Sequence, residues 1–297
     1  MKTVVSVSLG SSSRDHEAHA TFLGQEFTLR RLGTDGDFRK AQALLRELDG
    51  TVDAIGLGGV DVYLRARGKR YALRDGLRLM QTVEKTPVVD GSGLKDTLER
   101  EMVRQLPFSV KGLRVLMVCA MDRFGMAEAL DEAGAQCVYA DKIFALNLDQ
   151  PVYSLDELAV QAEKLLPEIC KLPISFVYPT GKSQASIEPT ALTNPYYAAA
   201  DLIAGDFHFI RRRLPDRLEG KIILTNTVTI ADIEELRKRG VARLVTTTPE
   251  LEGRSFGTNV LEAVMLVLLE KSWEDVLAQD YLNLIQNLGL KPRVVEL

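Results

Sequence analysis

The feature that most constrains this chain is a grammar repeated along it: a short β-branched run, a loop of small polar residues, then a helix. Its clearest instance spans residues 87–100, where Pro87, Val88 and Val89 run into Asp90, a Gly91-Ser92-Gly93 turn and a helix expected over 94–105. Glycines let the backbone turn sharply and approach a ligand closely. The first amides of the following helix lack intrahelical partners and carry the positive end of its dipole, so the segment reads as an anion cradle. The repetition predicts an α/β protein of two Rossmann-like lobes with mainly parallel sheets. Residues 1–108 would form the N-terminal lobe and 109–297 the C-terminal one. In open parallel sheets ligands sit beyond the carboxyl ends of the strands, so these loops would share one cleft.

Composition narrows the partners. With 297 residues and a 46% hydrophobic fraction the chain can fill two cores. A net charge of −4 and a pI near 5.6 argue against bulk attraction to nucleic acid or an anionic membrane. Cys119, Cys137 and Cys170 are far apart, without the paired spacing of a disulfide framework or zinc ribbon. The start of the chain lacks the apolar core of a signal peptide, and the greasiest stretch, 260–269, is too short to span a bilayer, so a cytoplasmic protein is expected.

Along the chain, residues 3–9 read as a strand entering the hydroxyl-rich loop Gly10-Ser11-Ser12-Ser13, which would either hold a carboxylate or phosphate or simply cap the next helix. A second strand is expected over 27–32 and an amphipathic helix over 37–48, capped by Asp37 and ended by Gly50. Gly56-Leu57-Gly58-Gly59 fails as a dinucleotide fingerprint because Asp61 stands where a small residue is needed. Residues 62–73 read as a hairpin turning at Gly68-Lys69. Its cations Arg65, Arg67, Lys69, Arg70 and Arg74 form either a solvated tip or a clamp over an anion. A helix over 75–84 then leads back to the anchor strand.

Residues 114–118, 125–133 and 136–139 have the spacing of a nucleotide-binding βαβ unit, with Asp141 where a ribose hydroxyl would be met, although the turn holds a single glycine. A capping box at Ser154 and Glu157 opens a helix. Residues 174–178 read as an apolar strand entering Pro179-Thr180-Gly181-Lys182-Ser183, which is no Walker loop but would present Thr180, Gly181, Lys182 and Ser183 to an anion. A helix is expected over 194–206. Strands near 221–224 and 242–245 end in Thr225 and Asn226 and in Thr246, Thr247 and Thr248, and Arg254 lies in the loop before a long apolar helix. A terminal helix over 273–288 reads as packing or as a contact within a homodimer.

Among chemical groups, His16 and His19 would share a helical face, but no third metal ligand accompanies them. A hydrolase elbow is absent; Gly91-Ser92-Gly93 comes nearest. Lys95, with Asp90 and Asp96, is the best acid–base set. In the first turn of a helix the dipole and desolvation would lower the lysine's pKa, while Asp90 at the strand tip would face the same ligand; a solvated helix turn is the plain alternative.

Four segments together carry a resemblance that covers most of the chain: Val4-Val5-Ser6-Val7-Ser8-Leu9-Gly10, Arg31 to Asp37, Val88 to Lys95 and Gly253 to Asn259. The chain resembles bacterial proteins labelled quinate/shikimate 5-dehydrogenase. That resemblance implies a two-lobed enzyme using NAD or NADP, with Ser6 and Ser8 similar to the S-x-S pair that holds the substrate carboxylate and Lys95 as counterpart of the catalytic lysine. On this reading Ser6, Ser8 and Ser12, with Gly91, Ser92 and Gly93, hold a hydroxy acid, and Lys95 and Asp90 act on its hydroxyl. Asp141, Thr225, Asn226 and Thr246 to Thr248 line the nucleotide pocket. A second reading is a non-catalytic or regulatory protein that closes on a nucleotide or phosphorylated metabolite through Lys182, Ser183, Arg254 and the hairpin cations.

Overall fold

The structure is a computed structural model that describes residues 1–178, 181, 186–251, 254–255 and 257–297, with the side chains at 251, 254 and 255 outside the description. The first third of the chain runs β1 (Lys2–Ser8), β2 (His16–Phe22), β3 (Gln25–Gly33), α1 (Phe38–Leu48), β4 (Ala54–Gly58), the hairpin β5 (Tyr63–Ala66) and β6 (Lys69–Ala72), α2 (Arg74–Met80), β7 (Val88–Val89), α3 (Ser92–Asp96) and α4 (Leu98–Arg104). Then come β8 (Arg114–Met117), α5 (Phe124–Glu132), β9 (Gln136–Tyr139), α6 (Asp141–Leu146), α7 (Leu155–Ile169), α8 (Ile174–Val177), α9 (Asn194–Ala199), β10 (Leu202–Ala204), α10 (Phe207–Arg212), β11 (Ile222–Thr225), α11 (Ile230–Lys238) and β12 (Arg243–Thr246). The chain closes with the short hairpin β13 (Glu250–Leu251) and β14 (Arg254–Ser255), then α12 (Thr258–Leu269), α13 (Ala278–Asn287) and β15 (Arg293–Glu296).

Two mainly parallel sheets make two lobes. The first has the order β2-β3-β1-β4-β7 and the second β15-β12-β11-β10-β8-β9. In both, the first parallel strand lies between the second and the third, so each sheet has a topological switch point at the carboxyl end of its first strand, β1 and β8. Edge strands β2 and β15 are antiparallel and were not foreshadowed by the sequence pattern. β2 takes the place of a crossover helix, returning the chain so that β3 can pair parallel to β1.

Alternation of side chains sets the layers. Val7, Ile55, Leu57 and Val88 point to one face of the first sheet, packed with Leu45 of α1 and Leu79 of α2. Val4, Ala54 and Val89 point to the other face, where they meet Val260, Ala263 and Val264 of α12. Thus α12, though it follows the second lobe in sequence, is a layer of the first. Gly56 and Gly58 make room for it: a Cβ at Gly56 would stand 2.7 Å from the carbonyl oxygen of Asn259. The Gly-x-Gly of β4 therefore serves helix-to-sheet approach. The apolar cluster beneath α1 continues through the β5–β6 hairpin into α5 and α7 of the second lobe, so the lobes share core.

Several expected elements differ. Residues 174–178 are a helix, α8, not a strand: Pro173 sets its start, Asp75 accepts the Ile174 N–H, and Phe176 is 72% exposed, so the apolar run is not a buried ladder. The helix expected over 94–105 breaks into α3 and α4 at Thr97 (φ −109°, ψ −66°), whose hydroxyl donates to the carbonyl of Gly93. The helix expected over 75–84 ends early as α2, and residues 194–206 divide into α9 and β10. The terminal helix begins only at Ala278, after a short 3₁₀ turn. His16 and His19 belong to β2, where three-residue spacing puts them on opposite faces. No helix among the described residues is long and apolar enough to cross a membrane. Gly56→Ala should cost about 1–3 kcal/mol by overpacking against α12, read as a lowered denaturation midpoint in urea.

Candidate functional site

The switch points face each other across a cleft of about 140 Å3 between the lobes. From the first lobe come Ser6 and Ser8 of β1, Arg31 of β3, and Asp61, Asp90 and Lys95 from loops and helix after β4 and β7. The second lobe contributes Arg123 after β8, Asp206 and His208 after β10, and Asn226 after β11. Tyr178 and the first turn of α12, from Gly257 to Val260, complete the wall.

One end is built to meet oxygen. Ser8 Oγ accepts hydrogen bonds from the Gly10 N–H (3.0 Å) and from Arg31 Nη2 (3.0 Å). A hydroxyl accepts two bonds and donates one, so the Ser8 proton is left to donate. Ser6 Oγ accepts from Asn259 Nδ2 (2.8 Å). Arg31 is held in place by Asp15 (2.8 Å) and the carbonyl of Ser11 (2.9 Å). α12 begins at Gly257 with no side-chain cap, so its dipole end is presented to the same space. Across the cleft Arg14 Nη1 meets His208 Nε2 at 3.1 Å. A guanidinium only donates, so this nitrogen accepts and a neutral His208 carries its proton on Nδ1.

The other end is a buried ionic network crossing the lobes. Lys95 Nζ reaches Asp61 of the first lobe (2.8 Å) and Asp122 of the second (2.6 Å). Asp122 also accepts from the Tyr178 hydroxyl. Arg123, 1% exposed, pairs with Glu99 of α4 and with Asp206 (2.6 Å). Burial pushes Asp61 up to about 7, with Asp122 and Asp90 adding to the effect against the attraction of Lys95. Burial opposes ionisation of Asp122 as well, but Lys95 and Arg123 hold it below the ordinary carboxylate range. Lys95 itself would be depressed by burial; Asp122 and Asp61 outweigh that and keep its ammonium firmly charged. The expected lowering of the Lys95 pKa is therefore reversed, and burial raises a carboxyl of the cleft, Asp61, toward neutrality.

The sequence-derived candidates separate into two groups. Ser6, Ser8, Asp90, Lys95 and Asn226 all line the cleft. Asp90, however, is used in positioning: its oxygens accept from the N–H groups of Val62 (2.6 Å), Tyr63 (2.8 Å) and Ser92 (3.0 Å). The cradle at Gly91, Ser92 and Gly93 is filled from within. The Gly91 N–H donates to Glu262 Oε2 (2.6 Å), and Gly93 packs against Glu262 and Tyr281 so closely that a Cβ would collide. Ser12 is exposed and donates to Asp35 (2.7 Å). Thr225 donates to the Gly205 carbonyl (2.7 Å), Thr246 to that of Thr248 (3.2 Å) and Thr248 to that of Asn226 (2.8 Å), while Thr247 is buried. Asp141 accepts from the Met121 N–H (2.7 Å) and stands beside a separate, largely apolar cavity of about 100 Å3. Gly181 bridges to Gly10. Thr180, Lys182, Ser183 and the Arg254 side chain lie outside the described residues. The hairpin cations do not clamp the cleft: Arg67 and Lys69 pair with Asp156 and Glu163 of α7, and Arg70 lies over Tyr63.

Sequence reasoning missed Arg31, Asp61, Asp122, Arg123, Tyr178, Asp206, His208 and Asn259 as site residues. Their available signal was position, since several follow directly on parallel strands.

The fold and cleft define a two-lobed α/β protein with a polar interlobe pocket. The chain belongs to the family described as Domain of unknown function (DUF8754), matched over residues 93–297, and residues 3–90 match Domain of unknown function (DUF8753). No curated protein matches the sequence. Similar solved structures include an ABC transporter solute-binding protein from Burkholderia multivorans (12% identity, TM-score 0.37, 99% of both chains). Another is a sugar ABC transport substrate-binding protein from Bordetella parapertussis (11%, 0.36, 100% of this chain and 89% of that one). A third is an NAD-dependent malic enzyme from Thermotoga maritima (12%, 0.30, 84% and 66%). At these values neither ligand nor activity transfers to this chain.

Two stability predictions follow from the buried charges. Glu99→Ala breaks the fully buried Arg123–Glu99 pair, leaving Arg123 to Asp206 and Asp122, and should cost roughly 3 kcal/mol, measured by chemical denaturation. Glu262, bonded to Gly91 and Tyr281 (2.8 Å), is pushed up to about 8 by burial and by the charge on Asp90. The folded protein thus keeps a proton that the unfolded chain releases near the ordinary value of 4.5, so this group's contribution to stability falls as pH rises between those values. Glu262→Gln should flatten that decline in melting temperatures recorded across the same interval.

Proposed function

We propose that the protein binds a small hydroxylated carboxylate between its lobes and that Asp61 exchanges a proton with the ligand's hydroxyl. The observation that carries this is the presence, in one cavity, of the Ser8–Arg31 pair beside the α12 terminus and of the Asp61–Lys95 pair. Ser8 donates to the carboxylate, and Arg31 and the helix dipole favour its charge. Asp61, close to half ionised near neutral pH, accepts or returns the proton, while the ammonium of Lys95 stabilises an oxyanion. Asp90 and Asp122 hold the loop and the lysine in register. A ligand of the quinate or shikimate type has the required groups, and the resemblance to proteins labelled quinate/shikimate 5-dehydrogenase supports that choice.

NAD(P) would make this an oxidoreductase. Of the residues whose side chains are described and which were assigned to a nucleotide pocket, only Asn226 lines the cleft: Thr225, Thr246 and Thr248 bond within the chain, Thr247 is buried, and Asp141 lines the separate apolar cavity. Those residues do not converge on one pocket, so the set does not fit the cofactor. The regulatory reading, a nucleotide or phosphorylated metabolite bound without turnover, keeps one specific support: the interlobe position of Arg14, Arg31 and His208.

Calorimetric titration with quinate and shikimate, with NAD and NADP added in a second series, tests the proposal. Ser8→Ala should weaken binding by about tenfold, the loss of one charge-assisted hydrogen bond. Asp61→Asn should leave affinity within a few-fold but abolish proton uptake or release on binding, detected by comparing buffers of different ionisation enthalpy. Equal affinity of wild type and Ser8→Ala, or absence of any heat with either acid, refutes the reading. Absorbance change with NAD(P) and quinate would identify a dehydrogenase.

A further inference from the structure

We propose that a concave surface between α1, α2 and the start of α8, outside the cleft, binds a doubly charged phosphate monoester through Arg39, Arg74 and Arg78. The depression has a volume of about 450 Å3, with Leu9, Phe38 and Ile174 among its walls. Three guanidinium groups line it against a single carboxylate, Asp75, leaving an excess of two positive charges. Asp75 is already committed. Its Oδ2 accepts the Ile174 N–H (3.0 Å), and its Oδ1 is shared at 3.2 Å by Arg74 Nε and at 3.5 Å by Arg78 Nη1, so it engages one nitrogen of each guanidinium. Arg39 has no acidic partner among the described residues, and Arg74 and Arg78 are half exposed.

The cluster is held for use. The Arg78 guanidinium lies 4.9 Å from the centroid of Phe38, which orients its planar fork. The Arg74 N–H bonds the carbonyl of Cys170 (2.9 Å), so the backbone carrying two of the arginines is fastened to the chain that leaves α7 of the second lobe. A phosphate monoester carries nearly two charges at neutral pH and offers three acceptor oxygens, matching both the charge excess and the forked donors. A monocarboxylate would leave one charge unanswered. The site stands on residues that do not touch the cleft and goes beyond the function proposed for it.

The test uses the full chain near pH 8, titrated with inorganic phosphate and with glycerol 3-phosphate, against sodium chloride of equal ionic strength. Both phosphates should raise the melting temperature beyond the chloride control, and the ester should do so at lower concentration. Arg39→Gln combined with Arg78→Gln should weaken the calorimetric affinity at least tenfold. Arg39→Lys, which keeps the charge without the fork, should fall between. Arg31→Ala, which removes a cation of the cleft and none of these three arginines, should leave phosphate binding at this surface unchanged. A phosphate response no larger than that of chloride overturns the proposal, as does a response abolished by Arg31→Ala and retained by the double variant.

Discussion

The two lobes are joined by charges buried where they meet. Arg123 reaches back to Glu99 and across to Asp206, and Lys95 lies between Asp61 of one lobe and Asp122 of the other. Removing these charges from water is costly, and only mutual satisfaction offsets the cost. The arrangement therefore specifies one relative placement of the lobes, because sliding either sheet by a residue would strand an ion. Around this centre the outer pairs Arg100–Glu128 and Arg104–Glu132 continue the same contact between α4 and α5, with far smaller energetic weight because they are more exposed.

The same network decides the chemistry available in the cleft. A lysine with no anionic neighbours at a helix start would be a candidate base; one clasped by two carboxylates is a fixed positive charge. Of the two carboxylates that clasp the lysine, Asp61 is raised toward neutrality and Asp122 is held low, since Asp122 receives the Tyr178 hydroxyl and lies near Arg123 while Asp61 is crowded by Asp90. Two acids sharing one lysine thus have their ionisation pushed in opposite directions by their surroundings alone.

Much of the fold was legible because strands and helices announce themselves through local pattern. The spans 114–118, 125–133 and 136–139 lie within a residue or so of β8, α5 and β9, and Asp37 and Ser154 cap α1 and α7 through the expected backbone bonds. Residues 174–178 misled because a short apolar run has no periodicity to separate strand from helix. The site was less legible for a different reason. Ser8, Lys95 and Asn226 could be picked out by type and by position after a strand, but whether a polar group faces a ligand or its own chain depends on distant residues. Nothing near Gly91 reveals that Glu262, far along the sequence, occupies its amide, and nothing near Arg123 reveals Glu99.

The return of α12 to the first sheet has a consequence for how the molecule is made. Val4, Ala54 and Val89 are uncovered on that face until Val260, Ala263 and Val264 have been synthesised. The N-terminal sheet must emerge from the ribosome with a bare apolar flank and wait for most of the polypeptide before it can be sealed. Domains generally fold as units during synthesis; here the first sheet is completed by one of the last helices, so the first lobe is finished only after the second has been made.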